Sequence, residues 1–148
     1  MDSIDFQIID LLQQNARTSL KKMAETVSLT PPAVSERIRK LEASGVITGY
    51  RAVINPDKVG FAIRAVINVT ISREIQNDFV RFAKTCKNII KCHRVTGEYS
   101  MSLEAVFHDM TELDTIVGKI QRYGDTQTLL ILSSAISFRP LVPHLEKD

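Results

Sequence analysis

Cysteine is scarce: Cys86 and Cys92 are the chain's two thiols. They are too few for a disulfide framework and do not form a C-x-x-C pair. His93 beside Cys92 raises the question of a metal. Zinc takes four ligands in recognisable pairs, and no second pair follows, so both thiols read as small buried hydrophobes. Long apolar runs are missing too. No stretch approaches the ~18 uncharged apolar residues of a membrane span. The first residues, Met1-Asp2-Ser3-Ile4-Asp5, carry acid where a signal peptide needs base. These absences exclude a secreted disulfide scaffold and a helical membrane protein, and they predict a cytoplasmic one. Catalytic signatures are also lacking: there is no phosphate loop, no G-x-S-x-G and no paired acids in a pocket-like context. His93, His108 and His144 fall on a strand, near a helix start and in the C-terminal tail, positions that suit structural or surface histidines. The expectation is a protein that is not an enzyme and holds no cofactor.

An excess of either charge is absent as well. The net charge is +2, with eight bases against seven acids through Gly60 and eleven against ten beyond it. Bulk charge therefore does not mark one end as a nucleic-acid binder. Local arrangement does. Arg17, Lys21, Lys22, Arg37, Arg39, Lys40 and Arg51 gather around one stretch, and phosphate contact needs a local basic surface rather than a basic protein.

That stretch is Ser19 to Leu41. Leu20, Met23, Ala24 and Val27 repeat at i, i+3, i+4 and i+7, one apolar stripe at helical period. Ser28-Leu29-Thr30 breaks it. Thr30 before Pro31 is a start signal, a capping hydroxyl followed by a residue that needs no amide hydrogen. Val34, Ile38 and Leu41 then form a second stripe. Two short helices joined by a tight turn make a helix-turn-helix, whose second helix can enter a major groove. On that helix Pro32, Glu36 and Arg39 point away from the stripe, with Ser35, Arg37 and Lys40 on its flanks. Arg37 suits either a phosphate contact or an internal brace. An earlier helix, Ser3 to Asn15, carries Ile4, Ile8, Leu11 and Leu12 and is capped by Asp2 or Ser3. The second helix ends at Ser44-Gly45, with glycine as the left-handed cap. Val46 to Ile54 reads as one or two short strands, a small wing or a path onward. Asn55-Pro56-Asp57 is a turn, and Lys58-Val59-Gly60 completes a linker.

Beyond the linker the rhythm changes. Ile63–Ile71, Ile89–Thr96, Tyr99–Phe107 and Thr126–Phe138 read as strands, and 74–87 and 111–123 as helices. Thr111 with Asp114 matches a capping pair. The order β-α-β-β-α-β predicts a ferredoxin-like sandwich, a four-stranded antiparallel sheet with both helices on one face. Val66, opposite Ala65, Ile67 and Val69, and the run Leu129-Leu130-Ile131-Leu132 place apolar residues on both faces. The open face is therefore expected to be buried in an isologous dimer. Residues 139–148, with two prolines, read as a tail. The fold class is α+β, with a (winged) helix-turn-helix unit over 1–60 and a βαββαβ effector-binding and oligomerisation domain over 61–148.

Three motifs in this order resemble the Lrp/AsnC (feast/famine) family of transcription regulators, across essentially the whole chain. They are I-D-F-Q-I-I-D-L-L-Q-Q-N-A-R-T-S from Ile4, L-T-P-P-A-V-S-E-R-I-R-K-L-E-A-S-G-V-I from Leu29, and V-T-G-E-Y-S from Val95. The resemblance implies double-stranded DNA as partner, and homodimers that assemble further, to an octamer of four dimers. It also implies an amino acid or similar small effector bound between dimers. The family's effector loop runs Val-Thr-Gly-x-Tyr/Phe-Asp; here Ser100 stands where aspartate is expected. Glu98 or another subunit then supplies the negative charge, the effector is not a typical α-amino acid, or none binds. The DNA-contacting residues implied are Lys21, Thr30, Pro32, Ser35, Glu36, Arg37, Arg39 and Lys40. The effector residues are Thr96, Gly97, Glu98, Tyr99 and Ser100. Two rivals are an architectural DNA binder that works without effector and a small-molecule sensor without DNA specificity of its own.

Overall fold

The computed structural model describes residues 1–142. Its contacts separate two compact units, Met1–Ala52 joined by the chain from Ile136 onward, and Val53–Ala135. The dividing point lies at Ala52–Val53, ahead of the expected 60–61, and residues 136–142 return to the helical unit.

The first unit holds α1 (Ser3–Gln14), α2 (Leu20–Val27) and α3 (Pro31–Ala43). Each begins on a side-chain cap. The Asp2 carboxylate accepts from the Ile4 and Asp5 amides at 3.0 and 2.9 Å, and the Asp5 carboxylate accepts from the Asp2 amide at 3.0 Å. This is a reciprocal capping box. Ser19 and Thr30 accept from the Lys22 and Ala33 amides. The core is Ile8, Met23, Ala24, Val27, Val34 and Leu41, sealed by half-buried neighbours that include Leu12, Ile38 and Ile47. Leu20, expected on the stripe, is 40% exposed in the first turn of α2. After α3, Gly45 takes φ +75 and donates to the Glu42 carbonyl, while Val46 donates to Leu41. This double closure stops the helix.

No wing follows. Residues 46–62 contain no strand, only one turn of tighter helix at Asp57–Val59. The loose alternation of Val46 to Ile54 has no partner strand among the described residues, and Val53 and Ile54 are exposed. Nor are residues 139–142 simply a tail. The Gln13 side-chain amide donates to the Leu141 carbonyl at 2.9 Å and accepts from the Leu141 amide at 2.7 Å, docking this segment on α1. The rest of the predicted tail, with His144, lies outside the described residues.

The second unit is the expected sandwich: β1 (Ile63–Thr70), α4 (Gln76–Thr85), β2 (Ile89–Arg94), β3 (Met101–Phe107), α5 (Met110–Ile120) and β4 (Asp125–Leu130). The sheet order is β2-β3-β1-β4, antiparallel throughout. Ala65, Ile67 and Val69 of β1 and Met101, Leu103, Ala105 and Phe107 of β3 pack with Phe79, Leu113, Ile116 and Ile120 of the helices.

Three expectations change here. β4 ends at Leu130, because beyond it only Ile131 still donates to β1, through the Arg64 carbonyl, and Leu132 is 93% exposed. The open face is also mainly polar. Register places Arg64, Asn68, Ser102, Glu104, His93 and Gln127 on it around Val66, Val106 and Leu129. Ser102 donates to Asn68, which donates to Gln127, so a polar ladder crosses three strands. The third change is the cap of α5, which is Asp109 rather than Thr111. The Glu112 amide donates to Asp109, and the Glu112 carboxylate accepts from the His108 amide at 2.7 Å. That amide bond draws the Glu112 carboxyl below its ordinary pKa. Among the described residues no helix is long and apolar enough to cross a membrane.

Candidate nucleic-acid interface and effector loop

Helix α3 is two-sided. Val34 and Leu41 are buried, Ile38 and Arg37 are half-buried, and Pro32, Ser35, Glu36, Arg39 and Lys40 are exposed. Lys21 is exposed on α2. A groove reader requires this division, with one side fixed in a core and the other offering donors to base edges and phosphates.

Two of the eight candidates have internal duties. Thr30 caps α3, its hydroxyl accepting from the Ala33 amide at 3.4 Å. Arg37 Nη1 lies 2.8 Å from an Asp2 oxygen and 2.7 Å from an Asp5 oxygen, which ties α3 to the start of α1. Of its two readings, the brace is the one this geometry supplies. The same contacts act on Asp2, whose carboxyl is held below the ordinary aspartate range by the Asp5 amide first and Arg37 second. A lowered folded-state pKa stabilises the fold above the unfolded value, and that share is lost as pH falls through the folded one. Arg37→Gln is therefore expected to lower the melting temperature near neutral pH and to flatten its decline on acidification. Melting curves across pH for both proteins check this; parallel declines would remove the brace.

Arg39 is held differently. Its Nε and Nη2 donate to the two Glu36 oxygens at 2.8 and 2.7 Å, a two-pronged pair on the exposed face. Lys40 stands 4.0 Å from the same carboxylate. Arg39 draws the Glu36 carboxyl below its usual pKa, and Glu36 raises that of Arg39. The guanidinium is thus held in one orientation on the exposed face, with its Nε and Nη2 donors engaged by Glu36. A bidentate contact to guanine needs such a planar fork.

The loop between β2 and β3 is closed at its base by the Val95 amide, which donates to the Ser100 carbonyl at 3.1 Å. Thr96, Gly97 and Glu98 are exposed, and Tyr99 is half-buried. Gly97 has φ +110, with open space where a Cβ would stand. This is a conformation that glycine adopts cheaply. Ser100 is engaged inward. Its hydroxyl accepts from the Ile71 amide at 2.6 Å and lies 3.2 Å from the Val69 and Ile71 carbonyls. The serine hydroxyl works here as a strut at the end of β1.

The cysteines depart from the buried reading. Cys86 is half-buried, and Cys92 is exposed because β2 is an edge strand. Among the described residues no group of three or more His, Cys, Asp or Glu side chains could hold a metal. Sequence reasoning missed the Gln13–Leu141 dock and the inward role of Ser100. The first joins residues 128 apart and has no local signal.

Comparison with known proteins agrees with both units. Residues 1–42 match the model of the AsnC-type helix-turn-helix domain, and residues 64–141 that of the Lrp/AsnC ligand binding domain. The HTH-type transcriptional regulator LrpB of Bacillus subtilis is 34% identical over 88% of this chain and 87% of its own. The leucine-responsive regulatory protein of Haemophilus influenzae is 29% identical over 89% and 84%. Among solved structures, a transcriptional regulator from Neisseria meningitidis in complex with L-Met superposes with a TM-score of 0.89. It has 26% identity, over 95% of this chain and 96% of that one. B. subtilis LrpC gives a TM-score of 0.88 at 27% identity, over 93% and 99%.

Proposed function

The chain belongs to the Lrp/AsnC family of DNA-binding transcriptional regulators, and from that premise we propose that it reads operator DNA as a homodimer joined through the open sheet face. It is a regulator and not an enzyme. In this proposal dimers assemble further, to an octamer of four, in the cytoplasm. An amino acid bound at Thr96–Ser100 between dimers modulates the assembly, as the L-Met complex of the Neisseria regulator suggests.

The observation that carries the DNA reading is the exposed row Ser35, Glu36, Arg39 and Lys40 opposite buried Val34 and Leu41. In the proposed complex Arg39 reaches a base edge, Lys40 and Lys21 meet phosphates, and Ser35 donates a hydroxyl. Thr30 and Arg37 serve by fixing the helix. A two-fold dimer presents two such helices to one duplex. The open face, with its polar ladder and exposed Leu129, supports the pairing by offering hydrogen-bonding groups and a small apolar contact rather than bulk apolarity. Ser100 is occupied with β1, so Glu98 supplies the negative charge for an effector's ammonium.

The test is Arg39→Ala. Operator affinity is expected to fall about tenfold or more, with the melting temperature unchanged. Unaltered affinity would take Arg39 out of the interface. A second reading, an architectural binder without effector, is favoured by the inward engagement of Ser100. An amino-acid panel separates the two. A ligand that shifts melting temperature or oligomer size supports the effector, and a silent panel with intact DNA binding supports the second reading.

A further inference from the structure

An open groove of about 390 Å³ runs between α4 and the edge strand β2 and reaches round that edge to Lys91, whose ammonium pairs with Glu104 of the open face. Its size falls in the range of small-molecule sites, and its walls have the mixture such sites use, apolar with a few convergent charges. Val80 and Ala83 line it from α4, Ile89 and Ile90 from β2, and Met101 from β3. A register shift in β2 builds this wall. Ile89 stands opposite Ala105 and Cys92 opposite Leu103, both on the helix side, and the extra residue between them lets two successive isoleucines line the groove. Bulges at sheet edges re-aim side chains in this way.

The charges at its rim are of one sign. Lys84, Lys91 and Arg94 line the groove, and no acid does. Lys91 is partly answered by Glu104 at 2.9 Å. Among the described residues Lys84 and Arg94 take part in no ion pair. Cys92 is exposed as a residue, but partial burial of its thiol raises the pKa, so it adds no charge to the wall.

We propose that this groove is a binding site for a small aliphatic carboxylate that lacks an amino group. The aliphatic body lies on Val80, Ile89, Ile90 and Met101, and the carboxylate meets Lys84 and Arg94. Sign decides the class. A zwitterionic amino acid would bring its ammonium to a rim where Lys84 and Arg94 have no ion-pair partner among the described residues and only Lys91 is answered, whereas the deaminated analogue brings only the matching charge. The site adjoins the base of the Thr96–Ser100 loop through Arg94 and Met101 but shares no residue with it, and it does not depend on the DNA reading.

Isocaproate, which is leucine without its amino group, is the probe, titrated calorimetrically into the full chain beside leucine. Isocaproate is expected to bind, and Lys84→Gln with Arg94→Gln to weaken it about tenfold. Both residues are exposed, so the fold is kept. Isocaproate should also slow alkylation of Cys92 by N-ethylmaleimide while leaving Cys86 unaffected. No isocaproate binding, binding indifferent to the double substitution, or leucine bound equally well at this rim would each overturn the proposal. Operator binding by the same samples, with Arg39→Ala as the control, distinguishes its failure from failure of the regulatory reading.

Discussion

Gly124→Ala is expected to destabilise the sheet unit by about 3 kcal/mol, at the upper end of what overpacking costs. Gly124 lies in the turn from α5 to β4, where the Tyr123 amide donates to Ile120 and Asp125 then pairs with Thr70. A Cβ on Gly124 would stand 2.0 Å from the Thr70 carbonyl oxygen and 3.0 Å from its carbon. No real Cβ tolerates that distance, and the obstacle is backbone, so no rotamer change relieves it. Either the turn or the end of β1 must move. β1 is pinned there from the other side as well, because Ser100 holds the Val69 and Ile71 backbone. The strain should therefore reach the 95–100 loop and loosen the candidate effector site along with the sheet. Urea unfolding checks the prediction. The midpoint should fall, while the helical unit retains its helix content at the lower denaturant concentrations. A midpoint within error of the parent would mean that the turn relaxes freely.

That glycine shows where legibility ended. Gly124 is readable in sequence as a break between helix and strand, but not as the point where one backbone touches another, since Thr70 is far away along the chain. The same division runs through the fold. Elements with a local cause were readable: the caps at Ser19 and Thr30, the α1 cap to within Asp2 or Ser3, the stop at Gly45, and the alternation of β3. Elements ended by their partners were not. The apolar run predicts β4 through to Phe138, yet the strand ends at Leu130, and beyond it only the Ile131 amide still reaches β1, at the Arg64 carbonyl. Val46–Ile54 has a strand's composition and no neighbour to pair with among the described residues. The α5 cap shifted because Asp109 and Glu112 outcompete Thr111, a choice between adjacent acceptors that spacing alone does not make. In the site, the wheel places Pro32, Glu36 and Arg39 outward and Ser35 and Lys40 on the flanks, and all five are exposed, since periodicity fixes direction. It could not decide Arg37, whose partners sit on α1, or Ser100, whose partners sit on β1. A side chain's role was legible where its own helix settled it and hidden where another element supplied the partner.

Leu41→Ala carries the second large effect, and it sharpens what the DNA measurements mean. Leu41 is 3% exposed in a core of only six buried residues, so truncation leaves a cavity that few neighbours can fill. The expected cost is roughly 2–5 kcal/mol, a large share of the stability of so small a helical unit. Its backbone carbonyl, which accepts from the Val46 and Ile47 amides, survives the change, so the loss falls on packing rather than on the helix stop. Operator affinity should fall for this variant as for Arg39→Ala, but for a different reason that temperature exposes. For Leu41→Ala, binding and helical circular dichroism should fall together on warming and recover together on cooling. For Arg39→Ala, binding should be weak at every temperature while the helix signal stays whole. Leu41→Met, which nearly conserves volume, should restore both quantities to within about 1.5 kcal/mol. If Leu41→Ala lost binding while keeping full helicity at all temperatures, Leu41 would have to touch the nucleic acid. The two-faced reading of α3, with one side for the core and the other for DNA, would then fall.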